Sequence, residues 1–314
     1  MIPARLRRGF VAICICLSPL ARADLDIPML PKNTKQGLKS LFDQGTDVFS
    51  SFAELRRQVL EQKDRAALSK IYGMAQHGFI DAINFLGYLY DNGEGGVAKN
   101  PRLAAKFWYT AAKQGDALAL HNLGLLYWQG RGLPKQEATA RQLLGMASDR
   151  FITRSDIVLG LIAESHNDAT NAIHYFAEAS AQKHPNIAAR QAMLLLKAQG
   201  PSAADQAFSM LLQAAEQGDP LAQFNLARFY GAGLGNTGNQ TNPVEASYWL
   251  NILQSNPFGK PYWNLIPTSL RTYNITDLEF SHAKSSADEW IKQHPTLPVP
   301  TDYAKSIYIA DETM

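Results

Sequence analysis

Ala82-Ile83-Asn84-Phe85-Leu86-Gly87-Tyr88-Leu89-Tyr90 and Ala119-Leu120-His121-Asn122-Leu123-Gly124-Leu125-Leu126-Tyr127 are two copies of one pattern, set 37 residues apart. The frame returns as Ser155…Leu159-Gly160, as Ala189…Met193-Leu194 and as Ala222…Leu226-Ala227…Tyr230, at offsets of 36, 34 and 33. Periods in this range mark stacked helix-turn-helix units, each burying its apolar face only against its neighbours. An array of this kind presents an extended surface rather than a closed pocket, so binding comes before chemistry in the functional reading.

Within each copy the first helix, helix A, carries alanine, leucine and glycine one turn apart. The small side chains admit a partner helix closely while leucine fills the seam. A glycine-rich turn follows: Gly93-Glu94-Gly95-Gly96-Val97, then Gly130-Arg131-Gly132-Leu133-Pro134, and later Gly231-Ala232-Gly233-Leu234. Helix B then alternates small and bulky residues, as in Ala104…Trp108-Tyr109…Ala111-Ala112, Ala172…Phe176…Ala179 and Ala207…Leu211-Leu212…Ala214-Ala215. Pro101 and Pro243 stand in the first turn of their helices, where a missing N–H costs nothing. The third copy turns without glycine, through Ser165-His166-Asn167-Asp168, and the fourth turns at Gly200-Pro201. The fifth turn is lengthened by the polar run Gly235 to Asn242.

Outside the repeats, Arg5, Arg7 and Arg8 precede an apolar stretch from Gly9 to Leu20 that is too short to span a bilayer, and Ala21-Arg22-Ala23 follows. These are the ordered regions of a secretory leader, expected to be cut after Ala23. Neither Cys14 nor Cys16 follows a small residue, so no lipid-attachment signal stands there. Without the leader, Lys+Arg falls from 30 to 26 against 28 Asp+Glu, which makes the net charge −2. Both cysteines leave with it, so stability must rest on apolar stacking rather than disulfides. A mildly acidic body without a basic stripe gives no electrostatic case for nucleic acid. Localisation in the periplasm or outside the cell is the expectation.

Asp24 to Gly45, with Pro28, Pro31 and Gly37, reads as an irregular arm. Phe49, Phe52, Leu55 and Val59 form the stripe of a capping helix, and Asp64 to Gln76 a second helix closing at His77-Gly78. Past Gln254, the run from Pro257 to Pro267 suggests a packed irregular segment or short helix. Thr276-Asp277-Leu278-Glu279 has capping-box spacing and opens a helix through Trp290, which is placed to seal the last repeat. The expected segments are 1–23 (leader), 24–63 (arm and capping helix), 64–254 (repeats) and 255–314 (cap helix and extended tail).

From Asp64 to Gln254 the chain resembles the Sel1-like repeat family, relatives of the tetratricopeptide repeat. The resemblance rests on Ala82, Leu86, Gly87, Tyr90, Gly93, Ala104, Trp108, Tyr109, Ala111, Ala112, Gln114 and Gly115. It continues through Ala119, Leu123, Gly124, Tyr127, Gly130 and Gly132, and then Ala215, Gln217, Gly218, Ala222, Leu226 and Tyr230. Copies three and four depart from the pattern. The resemblance implies an all-α fold: a right-handed α/α superhelical solenoid of about five repeats with helical caps at both ends. It also implies an adaptor or scaffold role in protein complexes, often in exported bacterial proteins. A cysteine-rich branch of the family is linked to β-lactams, and a mature chain without cysteine does not resemble it.

Catalytic signatures are thin: the sequence holds no nucleophile elbow, phosphate-binding loop, H-E-x-x-H or dinucleotide fingerprint. The densest titratable group is His166, Asp168, His174, Glu178 and His184. Only His174 and Glu178 share a helical face, so solvated polar residues are the preferred reading over a zinc site. Asn239-Gln240-Thr241 and Asn274-Ile275-Thr276 are chance-length glycosylation sequons. The helix B aromatics are taken as core. Subtracting packing positions from helix A leaves Asn84, Tyr88, Asp91, His121, Leu125, Trp128, Glu164 and Arg228 as candidate partner contacts. Tyr88 and Trp128 are the anchors, because buried aromatics dominate interface energetics. The expectation is a non-enzymatic scaffold without cofactor or metal that binds a protein partner along the concave helix A surface. A hydrolase or binding protein directed at the cell wall or dependent on a metal near His174 and Glu178, with the array as platform, is the alternative. A purely structural role through the caps is a third.

Overall fold

The computed structural model describes residues 48–181, 187–234, 240–265, 275–297 and 305. The leader, the arm, His184, Gly235 to Asn239, Pro267, Asn274 and the tail prolines Pro298 and Pro300 lie outside that set. Among the described residues the fold is all-α, and most helices pack on the next in sequence. The chain divides into two compact units, one ending at Val158 and the other beginning at Leu159.

The first unit opens with α1 (Val48–Gln62) and α2 (Arg65–Gln76). Phe52, Leu55 and Val59 of the predicted stripe are buried. Asp64 caps α2, its carboxylate accepting the Ala66 N–H at 2.7 Å. Next come the A helices α3 (Ile80–Asn92) and α5 (Ala117–Gln129), each followed by its B helix, α4 (Pro101–Ala112) and α6 (Glu137–Ser148). Both A helices end on a left-handed glycine, Gly93 at φ 77° and Gly130 at φ 69°. The division falls inside α7 (Thr153–Ser165), the A helix of the third copy. One hydrophobic core runs from Phe52 to Ile152, with Phe85, Trp108, Leu123 and Leu143 within it.

The second unit continues through α8 (Ala169–Ala181), α9 (Ile187–Gln199), α10 (Ala204–Glu216), α11 (Pro220–Ala232), α12 (Pro243–Ser255) and α13 (Asp277–Gln293). Its core joins Phe208, Leu211, Leu226, Phe229, Trp249 and Leu253. Asn167, at φ 58°, supplies the reversal that glycine provides in the other turns. Gly200 begins a 3-10 turn through Ala203. Lys260–Leu265 is a second 3-10 turn, and its Tyr262 stacks on Phe224 at 5.5 Å. The capping box forms as the spacing predicts: the Glu279 N–H donates to Thr276 Oγ1 at 3.3 Å, and Glu279 Oε2 accepts the Thr276 N–H at 2.9 Å. Trp290 packs on this unit's core, edge-on to Trp249 at 6.4 Å.

In the first three copies the A helix meets its B helix at a glycine, Gly87, Gly124 or Gly160. A methyl group added to Gly87 would sit 2.4 Å from the Trp108 indole nitrogen, and one added to Gly160 would sit 2.4 Å from the Phe176 ring. These rings therefore lie directly on helix backbone. Both are fully buried, each contributing on the order of 1.5–3 kcal/mol relative to exposure. Gly145 of α6 differs, since nothing lies within 4 Å of a methyl group there. Gly160→Ala should lower the unfolding free energy by about 1–3 kcal/mol through overpacking. Gly145→Ala should raise it by about 0.5–1 kcal/mol through helix propensity alone. Urea titration of both variants checks the contrast, and equal effects would contradict it.

Candidate partner-binding face of the first helix in each repeat

The eight candidate residues separate by exposure. Asn84, Asp91, His121 and Leu125 were expected on a free face, and each has no exposed surface. The correction has a physical reason: a neighbouring repeat reaches three of them with a polar group. Asn84 Nδ2 donates to Asp116 Oδ1 at 2.8 Å, and the same oxygen accepts the Ala119 N–H at 2.7 Å, capping α5. Arg131, in the following copy's turn, donates from Nη1 to Asp91 Oδ1 at 2.7 Å. His121 Nδ1 shares a hydrogen bond of 2.8 Å with Ser155 Oγ in the third copy. Leu125 is apolar and simply buried.

These contacts tie one hairpin to the next across 32, 40 and 34 residues of sequence. The Trp108 indole N–H adds a bond to the Asn84 carbonyl at 3.3 Å, linking α4 to α3 within a hairpin. Burying polar groups is tolerable only when they are bonded, so the three ties also fix which hairpin faces which. A comparable tie joins α12 to α11 in the second unit, where Asn256 Nδ2 donates to the Gly218 carbonyl at 2.9 Å and to Gln223 Oε1 at 3.0 Å. Asp219 caps α11 by accepting the Leu221 N–H at 2.8 Å, while burial pushes its carboxyl up to about 6 against those backbone bonds.

The other four candidates keep surface. In the first unit, Tyr88 is partly buried, its ring stacked on Phe85 at 6.4 Å and its hydroxyl donating to Glu94 Oε2 at 3.1 Å. Trp128 is also partly buried and leans on the same core. In the second unit, Glu164 pairs with Arg190 at 2.8 Å. Arg228 is exposed, with its guanidinium 5.9 Å from the Phe224 ring centre and bonded to Asn225 Oδ1 at 3.3 Å. Exposed ion pairs contribute little to binding, whereas aromatic rings fixed at one edge lose little entropy on contact. Tyr88 and Trp128 are thus the two aromatic residues of the set that keep surface.

His174 and Glu178 are exposed on α8, with the His174 ring 5.4 Å from Tyr175. Among the described residues no group of three histidine, cysteine or acidic side chains is placed to hold a metal ion. Of the helix B aromatics read as core, Trp108 and Phe176 are fully buried, and Tyr109 is partly covered with Lys113 5.5 Å from its ring centre.

The Sel1 repeat family model matches residues 80–116, 117–150, 162–184, 192–219 and 220–252. No curated protein matches the sequence. Among solved structures, a Sel1 repeat protein from Oxalobacter formigenes shares 23% identity at a TM-score of 0.61, covering 77% of this chain and 99% of its own. A protective antigen of uropathogenic Escherichia coli strains, displaying an SLR fold, shares 17% identity at a TM-score of 0.37, covering 85% of this chain and 75% of its own. The first likeness shows the fold.

The buried tie at His121 has a pH signature. Burial first, and Arg154 second, hold the imidazole down at about 3 instead of 6.5. The unfolded chain therefore takes up this proton near 6.5 while the folded protein resists it. The stabilisation is complete above that pH and is lost as pH falls toward 3, at up to about 1.4 kcal/mol per pH unit. In unfolding titrations between pH 6.5 and 4, His121→Asn should show a slope shallower than wild type by about 1 kcal/mol per unit. Identical slopes would contradict the assignment.

Proposed function

We propose, from the premise that this chain belongs to the Sel1 repeat family, that it is an exported, non-enzymatic adaptor that captures another protein on the exposed part of its first-helix face. Sel1 repeats mediate protein–protein interaction, and among the described residues no helix is long and apolar enough to cross a membrane. One observation carries the choice of face. Tyr88 and Trp128 are large rings half-seated in the first unit's core, with edges left to solvent. Hot spots of interfaces combine this rigidity with this chemistry.

The frame beneath these rings is held by close packing and buried ties, so recognition proceeds with little backbone movement. A partner segment laid along the helices would bury the ring edges and displace water from them. Export is part of the proposal and rests on the basic, apolar and small-residue order of residues 1–23.

Crosslinking in the native envelope, read by mass spectrometry, identifies partner and contact face together. With the partner in hand, Tyr88→Ala plus Trp128→Ala should weaken capture at least about tenfold. The circular dichroism spectrum should stay that of wild type. Capture at wild-type strength by the double variant would remove this face from consideration.

A further inference from the structure

In the second unit four helices surround an open recess of about 440 Å³. α10 brings Glu216 to it, α11 brings Tyr230, α12 brings Glu245, Tyr248 and Trp249, and α13 brings His282. Trp249 is the closed side of the recess. It is 4% exposed and fixed edge-on between Tyr248 at 5.2 Å and Trp290 at 6.4 Å. Tyr230 is held in turn, edge-on to Phe208 at 5.4 Å. The rings are thus anchored on their inner sides, and they flank the open space.

The polar groups are unmatched. Among the described residues, neither carboxylate nor either phenol has a side-chain hydrogen bond or ion pair, and no lysine or arginine lines the recess. Elsewhere among the described residues some carboxylates near the surface are paired, Glu54 and Glu61 with Arg57 and Glu164 with Arg190, while others such as Glu178 and Asp205 are not. Here Glu216 and Glu245 line the same recess, which no lysine or arginine side chain shares. Burial raises the Glu245 carboxyl. Burial first, and then the charges of Glu245 and Glu216, raise both Tyr230 and Tyr248. Both carboxylates therefore bear on both rings, from two different helices.

We propose that this recess is a binding site for an alkylammonium group. A cation placed there would meet two carboxylates as acceptors and the negative faces of fixed aromatic rings, a combination that desolvation strengthens. An ammonium, with three donors pointing apart, can bond carboxylates that arrive from separate helices. The ligand is either a lysine side chain of a protein or a free amine. The site lies in the second unit and owes nothing to the roles of Tyr88 and Trp128, which belong to the first.

Isothermal titration of the full chain tests the proposal with two amines, butylamine and Nα-acetyl-lysine methylamide, and with butanol as the uncharged control. Saturable binding of an amine in the millimolar range, without binding of butanol, is the expected result. Binding of acetyl-lysine alone would mark a protein side chain as the source, and of butylamine alone a free amine. Glu216→Gln with Glu245→Gln should weaken the amine at least tenfold. The single variant Glu216→Gln, at an exposed position, should weaken it severalfold with unchanged thermal unfolding. Butanol binding as well as the amines, or undiminished amine binding by the double variant with its fold intact, would overturn the assignment.

Discussion

A ring lying on bare helix backbone is the contact from which the rest of this structure follows. Trp108 over Gly87 and Phe176 over Gly160 bring the A helices of the first and third copies within reach of their B helices, and Leu144 does the same at Gly124 in the second. The close approach removes the apolar stripe of both helices from water at once, which is the dominant favourable term for a fold without disulfides. It also sets the spacing at which the next hairpin can be met. Once α3 and α4 are fixed in this way, Asn84 and Asp91 stand where Asp116 and Arg131 of the following copy can bond them.

The polar ties then act on specificity more than on bulk stability. In the half-buried ion pair Asp91–Arg131 the aspartate is fully buried while the arginine keeps some surface, so removing Arg131 would leave a buried carboxylate without its cation, which is expensive. Slipping a hairpin by one helical turn would leave Asn84, Asp91 and His121 all unmatched inside the core. Apolar packing makes the repeats stack, and these three bonds make them stack in one register. The exposed face inherits that rigidity, so Tyr88 and Trp128 are presented by a frame that does not need to rearrange.

Much of this was legible in the chain. Local devices have local signals: the glycine turns, Pro101 and Pro243 at helix starts, and the Thr276–Glu279 box all involve residues within a few positions of one another. The paired small and bulky positions showed the hairpins. The ties were not legible, because Asn84, Asp91 and His121 find their partners 32 to 40 residues away. A frame that assigns only apolar residues to packing leaves every polar one on the outside by default. A usable signal did exist: Asn84 and His121 occupy the same frame position within mostly apolar helices, and a polar residue so placed is more economically buried and bonded than exposed. The acidic aromatic recess escaped notice for a similar reason, since its residues come from four helices spread over about 70 positions.

The claim beneath all of this is that the Gly87–Trp108 contact is what sets the distance between helices. A double-mutant cycle in urea measures it directly, with Gly87→Ala, Trp108→Leu and the pair. If the indole is what a methyl group at position 87 strikes, Gly87→Ala should cost at least about 1 kcal/mol less in the Trp108→Leu background than in wild type. Additivity of the two substitutions would show that the glycine answers to something other than the ring, and the packing account given for the hairpins would be wrong.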